Sequence, residues 1–291
     1  LGMRFLERSV IIAVMGVASN VDGKGSHLIP EAGTRRFLLA RHGQTTWNAA
    51  NRLQGTVDDS VLTDLGRKQA AELGARLVAE EANSVDALYC SSLTRARQTL
   101  EIIEGAFAAS TSGAALPTAR VTADLREIEL HQWEGRHKDE LATGAQAHLW
   151  RAWKENPVDF AFPTGVYPLR DLWHRASHCW EKLWTEGSAQ CEGSDEEHKT
   201  LVVAHGALNR ALLAMALGRD MNAFVHSDLQ FDNCAVVEVE AKRGSGDRPV
   251  AAVRWRWRHP KPSEWKEAAL LTAPSSMPDA NLSHAGAAQA F

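Results

Sequence analysis

Thr200-Leu201-Val202-Val203-Ala204-His205-Gly206 is the stretch that decides how this chain folds. A short apolar run rich in β-branched residues suits a strand buried on both faces. The run stops at a histidine and a glycine, and Ala207 to Leu217 then reads as an apolar helix ended by Gly218. Phe37-Leu38-Leu39-Ala40 repeats the pattern, stopping at Arg41-His42-Gly43 before polar residues and Trp47. Asp86-Ala87-Leu88-Tyr89-Cys90 is a third strand, with a turn at Ser91-Ser92 and a helix from Leu93 to Ala108. Between the last two, Thr63 is placed to cap a helix running to about Glu81, with Ala70, Leu73 and Leu77 on one face. Strands alternating with helices predict an α/β domain with a mainly parallel central sheet. Ligands bind beyond the carboxyl ends of strands in such sheets, where both strand-His-Gly junctions fall.

Further out, Leu149 to Lys154 and Leu169 to Trp184 are helical, around a loop holding Pro157, Pro163, Gly165 and Pro168. Cys234 to Glu240 and Val250 to Arg258 alternate about Arg243-Gly244-Ser245-Gly246-Asp247, which predicts a hairpin. Residues 1–33 read as an irregular arm, with Val10 to Ala18 as the end of a targeting segment. Residues 34–260 form the domain, and 261–291, rich in Pro, Ser and Ala, a flexible tail.

A chain of 291 residues with net charge −4 has no general pull toward nucleic acid or an anionic membrane. No apolar stretch approaches the ~20 residues a spanning helix needs. Cys90, Cys179, Cys191 and Cys234 show neither a C-x-x-C pair nor zinc spacing, so they read as reduced thiols, Cys90 and Cys234 in the core. The remaining histidines lack ligand spacing, and no metal is expected.

The chemistry gathers at the strand ends. Alone, Arg41-His42-Gly43 reads more simply as a core histidine beside a surface arginine. In context, His42 is held rigidly, the following turn opens a helix whose N–H groups favour an anion, and Gly43 allows close approach of the backbone to a ligand. Arg41 adds an always charged donor fork suited to phosphate. Ser91-Ser92-Leu93-Thr94-Arg95-Ala96-Arg97-Gln98-Thr99 sets Arg95 one turn into a helix, with Arg97 as the solvated neighbour. Leu125-Arg126-Glu127-Ile128 supplies a carboxylate, with Glu129 and Glu134 as rivals, and His205 completes the set. Two imidazoles, two guanidinium groups and one carboxyl are what phosphoryl transfer through histidine requires.

Those four segments match R-H-G-x-T-x-x-N, S-x-L-x-R-A-x-Q-T, L-R-E-I and A-H-G in that order. They resemble the histidine phosphatase superfamily over roughly residues 34–260. The resemblance implies a three-layer α/β/α sandwich with a helical cap at residues 130–185. It implies His42 as nucleophile, Arg41, Arg95 and His205 as the phosphate pocket, and Glu127 as general acid and base. Asn48, Gln54, Gly55 and Gly206 become substrate-lining positions, and no metal or other cofactor is implied. Arg170 is a further substrate contact or, equally, an exposed loop charge.

The insertion from Trp133 to Trp153 lacks the paired arginines of the phosphoglycerate mutase branch, which favours hydrolysis over mutation. Gly165 to Trp173 and Arg175 to Trp180 resemble instead the G-H-Y-P-V-R-E-L-W and R-A-R-x-C-W stretches of a plant branch, the 2-carboxy-D-arabinitol-1-phosphatases. Val166 stands in place of that branch's histidine, and His131 where many phosphatases of the superfamily carry glycine. The branch implies a small acidic sugar phosphate as substrate, 2-carboxy-D-arabinitol 1-phosphate first, and the chloroplast stroma, with the cytoplasm as alternative. Phosphoglycerate mutation and broad sugar-phosphate hydrolysis remain enzymatic alternatives, and a non-catalytic phosphometabolite sensor the other. The expected partners are that small molecule and a second copy of the chain in a homodimer.

Overall fold

The structure is a computed structural model that describes residues 34–81, 84–111, 113, 115–188, 198–243 and 249–257. The expected arm, the tail, Cys191 and the centre of the late hairpin turn lie outside the described residues. Chain order runs β1 (Thr34–Arg41), α1 (Thr46–Ala49), α2 (Asp64–Glu81), β2 (Ala87–Ser91), α3 (Thr94–Ala108) and β3 (Arg120–Thr122). There follow α4 (Lys138–Thr143), α5 (Ala147–Glu155), α6 (Pro168–Ser188), β4 (His198–Ala204), α7 (Gly206–Ala216), β5 (Val236–Arg243) and β6 (Pro249–Trp257). Thr63 does cap α2, its hydroxyl accepting the Gly66 N–H at 3.0 Å.

The six strands form one sheet in the order β3-β2-β4-β1-β5-β6. The first four of that order run parallel, and the β5–β6 hairpin extends the sheet antiparallel on the β1 side. Successive side chains of a strand point to opposite faces, and here each face has its own core. Leu38, Ala40, Leu88, Cys90, Leu201 and Val203 pack with Leu73, Leu77, Leu100 and Ile103 of α2 and α3. Phe37, Leu39, Tyr89, Val202 and Ala204 pack with Leu172, Leu183, Leu208 and Leu212 of α6 and α7. Burial on both faces is why these strands read as unbroken apolar runs, and the three layers follow from it.

The cap shares the second of these cores. Trp133 stacks on Phe160 at 5.2 Å and meets Phe162 and Trp150 edge-on at 4.8 and 5.5 Å. Its indole N–H donates to Gln146 at 2.8 Å, so its one polar atom is satisfied. Tryptophans that look scattered in the sequence thus meet as packing. Cys90, Cys179 and Cys234 are free and buried. Burial pushes the Cys90 thiol up to about 12 and Cys179 to about 11, so neither is a reactive thiolate at neutral pH.

Candidate active site

Adjacent strands β1 and β4 run in register with Arg41 opposite Ala204. The next pair along that register is His42 and His205. The His42 N–H donates to the Ala204 carbonyl at 3.0 Å. The two rings lie 5.2 Å apart, centroid to centroid, close to the ~4.8 Å separation of neighbouring strands. Both side chains are buried.

His42 Nδ1 stands 2.7 Å from the Gly43 carbonyl. A carbonyl only accepts, so Nδ1 carries the proton and the lone pair sits on Nε2. Burial first, then the charges of Arg95 and Arg41, hold His42 well below the usual histidine range. His205 is held down the same way, by burial and then by Arg95, His42 and Arg41. Both imidazoles are therefore neutral at neutral pH.

Arg95 enters from the first turn of α3 and is completely buried. Its Nη2 donates to the Gly55 carbonyl at 2.7 Å and its Nη1 to Val57 at 3.1 Å. Burial pulls its pKa down to about 10, which leaves it charged at neutral pH. Gly55 has φ +56°, which strains any side-chain-bearing residue, and a Cβ there would push aside the Glu134 carboxylate, 1.9 Å away at Oε1. Arg41 Nη1 donates to the Phe231 carbonyl at 2.7 Å. The Nε atoms of Arg41 and Arg95 are buried without a hydrogen-bond partner among the described residues, as is Nδ1 of His205. A Cβ at Gly206 would come within 3.3 Å of that Arg41 Nε, so the glycine lets the β4–α7 junction close over the guanidinium.

Glu127 sits at the start of α7. Its Oε1 accepts N–H groups of Ile128 at 2.9 Å and of Ala207 and Leu208 at 3.1 Å, while Oε2 shares only Ala207. The carboxylate acts on both Arg41 and Arg95, raising the pKa of each against burial. The rivals are placed otherwise. Glu134 ties down the 54–57 turn, accepting N–H groups of Thr56 at 2.9 Å, Val57 at 3.2 Å and Leu130 at 2.8 Å. Glu129 is exposed and faces His131 at 3.5 Å.

Two local expectations are corrected. The helix that follows His42 is only four residues long, and a reciprocal Thr45–Asn48 capping box already satisfies its start. It has no free N–H end to offer an anion; α7 has the helix N-terminus at this site, and Glu127 occupies it. Gly43 does not open the backbone toward a ligand. Its N–H donates to Thr99 Oγ1 at 3.1 Å, and a Cβ on it would lie 2.5 Å from the Gly66 carbonyl. The glycine is there for the close crossing of two backbones.

Gln54 and Asn48 belong to the scaffold under His42. Gln54 Oε1 accepts from Thr45 Oγ1 at 2.9 Å, and Asn48 Oδ1 from Thr45 N and Asn233 Nδ2, each at 3.2 Å. Asn233 also donates to the His42 carbonyl at 3.1 Å. Arg170 is not brought to this group. Its Nε and Nη2 donate to Val158 and Asp159 at 2.9 and 2.7 Å, and its fork lies 4.6 Å over Tyr167.

Two contributors escaped the sequence reading. Ser91 Oγ lies 2.7 Å from His205 Nε2. Arg175 of α6 clamps the carbonyls of Asp124, Arg126 and Glu127, the Asp124 and Glu127 bonds at 3.0 and 2.8 Å. No signal in the sequence points to Ser91, because the pairing of its strand with the one that ends at His205 shows only in the fold. Among the described residues, no group of three or more His, Cys, Asp or Glu side chains is placed to hold a metal ion, and no helix is long and apolar enough to cross a membrane.

Over residues 37–252 the chain matches the histidine phosphatase superfamily, branch 1, and it belongs to that family. It is 38% identical over 224 residues to a 2-carboxy-D-arabinitol-1-phosphatase of Triticum aestivum, covering 76% of this chain and 40% of that one. It is 36% identical over 217 residues to a probable 2-carboxy-D-arabinitol-1-phosphatase of Arabidopsis thaliana, covering 74% and 40%. The chain thus spans about 40% of the length of these two relatives. Among solved structures, Bacillus stearothermophilus YhfR superposes with a TM-score of 0.61 at 27% identity, over 78% of this chain and 98% of that one.

Proposed function

We propose that this chain is a phosphatase that hydrolyses a small acidic sugar phosphate through a phosphohistidine at His42. One observation carries the reading: a neutral imidazole with its lone pair on Nε2 lies beside buried guanidinium N–H groups that lack an acceptor among the described residues. His42 Nε2 attacks phosphorus, the P–N bond forms and the P–O ester bond breaks. Arg41, Arg95 and His205 hold the phosphoryl oxygens as charge shifts onto them. The Gly43 carbonyl faces Nδ1–H as the ring becomes positive. Glu127 gives its proton to the leaving alkoxide, then takes one from the water that attacks the phosphohistidine, releasing inorganic phosphate and neutral His42. Oε2, the less engaged oxygen, is the one assigned to the proton. The arginines supply the positive charge, so the reaction is assigned as metal-independent.

The two plant relatives support 2-carboxy-D-arabinitol 1-phosphate as the first substrate, and the stromal location and homodimer expected from the sequence are part of the same proposal. A phosphate-release panel of carboxyarabinitol phosphates, phosphoglycerates and sugar bisphosphates, run with and without chelator, tests it. Release from the carboxyarabinitol ester, indifferent to chelator, is expected. Interconversion of monophosphoglycerates without net release would establish a mutase instead. His42→Ala is expected to remove both turnover and the acid-labile phosphoenzyme while the circular dichroism spectrum stays unchanged.

A further inference from the structure

Ser91 and His205 are both 0% exposed, at the ends of neighbouring parallel strands, and their side chains meet at 2.7 Å between Oγ and Nε2. Which atom owns the proton is settled by counting. The Ser91 hydroxyl already accepts the Leu93 N–H at 3.3 Å. It has one proton to give, and His205 Nε2 is its one acceptor among the described residues. Were Nε2 to carry the ring proton instead, the serine would accept twice and leave its own proton buried without an acceptor, which is costly. A doubly protonated ring is opposed by burial and by Arg95 and Arg41 beside it.

We propose that Ser91 is a positioning residue that holds His205 as the Nδ1–H tautomer and so makes its other nitrogen a hydrogen-bond donor to the phosphoryl group. The other ring nitrogen of His205, Nδ1, is buried with no partner among the described residues, as are the Nε atoms of Arg41 and Arg95. With the proton there, three donors converge on the transferred phosphoryl oxygens. With the proton on Nε2, a lone pair would face those oxygens and repel them. No proton moves through Ser91 in the reaction; it selects a tautomer. The inference rests on the phosphohistidine reading and adds to it a group that touches no substrate.

The test is nitrogen NMR of ¹⁵N-histidine-labelled protein near pH 7, with the His205 signals assigned by difference against His205→Gln. A pyrrole-type Nδ1 and a pyridine-type Nε2 are expected for His205, and the reverse pattern, or an imidazolium, overturns the proposal. In Ser91→Ala the tautomer signature should be lost. The kcat should fall roughly 10- to 100-fold, the usual scale for removing a group that orients a histidine. Because Ser91 acts through His205 on the phosphoryl oxygens and not on the leaving group, aryl and alkyl phosphates should suffer alike, and orthovanadate should inhibit less well. Ser91→Thr, which keeps the hydroxyl, should restore most of the rate. An unchanged rate in folded Ser91→Ala also overturns the proposal, and if that variant fails to fold, the wild-type spectrum still decides. An acid-labile phosphoenzyme in wild type with His205 protonated on Nε2 would sink this inference alone, whereas absence of phosphoenzyme would sink the underlying reading.

Discussion

The nucleophilic role proposed for His42 requires a neutral ring, and the burial that keeps it neutral gives the fold an acid sensitivity. In the unfolded chain His42 and His205 titrate near 6.5, whereas in the folded protein both lie well below. Well above pH 6.5 neither state binds the protons and the histidines cost nothing. As pH falls below 6.5 the unfolded chain takes them up first, so stability declines toward the folded-state values. At pH 5.5 each histidine is expected to cost on the order of 1 kcal/mol relative to pH 7.5. Urea denaturation of wild type and His42→Gln at both pH values checks this: the variant should lose on the order of 1 kcal/mol less, and equal losses would show that His42 is not buried neutral. Glu127 has a different signature. Glu127→Gln should slow alkyl phosphate turnover by roughly 10²–10⁴-fold and aryl turnover much less, and equal slowing would reject the acid role. At this scale the two histidines, two arginines and Glu127 were legible: His42, Arg41 and His205 because polar groups that end buried apolar runs need a reason, Arg95 and Glu127 from the motifs that hold them. Ser91 was not, because a serine after a strand is ordinary turn chemistry. Gly43 was seen but misread, since only the folded chain shows Gly66 crossing it.

At the scale of elements, the site depends on two junctions. The first is the crossing of the loop after β1 over the start of α2, where a Cβ on Gly66 would lie 1.9 Å from the Gln44 carbonyl. Gly66→Ala should therefore force the backbones apart and cost about 1–3 kcal/mol or more, read as a lower urea midpoint with an unchanged m-value. The second is the Arg175 clamp of α6 on the segment that carries Glu127. Arg175→Met keeps most of the packing volume and removes the fork, so the carboxyl loses its aim. Loss on alkyl phosphates should exceed loss on aryl phosphates, as for Glu127→Gln, and a uniform loss would mean the clamp is only structural. The sequence reading put α6 at Leu169 to Trp184 against the observed Pro168–Ser188, so the helix itself was visible. Its task was not, because hydrogen bonds to carbonyls about 50 residues away leave no mark in helical periodicity. A helix after His42 is legible in the sequence, but the shortness of α1 and its self-satisfied cap show in the fold alone.

For the molecule as a whole, a net charge of −4 sits beside a pocket of buried cations. The field that suits an anion is local, set by four distant segments that the sheet brings together. The cap adds no separate core: Trp133, Phe160 and Phe162 belong to the same cluster as Phe37, Val202 and Leu212. Tryptophan fluorescence, which weighs the cap, and far-ultraviolet circular dichroism, which weighs every helix, should therefore trace one coincident urea transition. Fluorescence moving first would reveal a cap that melts alone. The α/β class and the parallel strands were legible from alternation of apolar runs and helices. The side-by-side placement of β1 and β4 was not, because adjacency in a sheet is a property of crossover connections rather than of any one segment.

That adjacency has a practical corollary. The backbone ladder between β1 and β4 serves as a ruler, so the gap between the paired imidazoles is inherited from main-chain geometry. Loops and cap can diverge, lengthen or be exchanged to suit new molecules without retuning the reacting pair. A single-residue insertion inside either strand, by contrast, would turn one imidazole to the opposite side of the sheet and break the spacing outright. Engineering for altered selectivity should accordingly be permissive in the cap and unforgiving along the two strands.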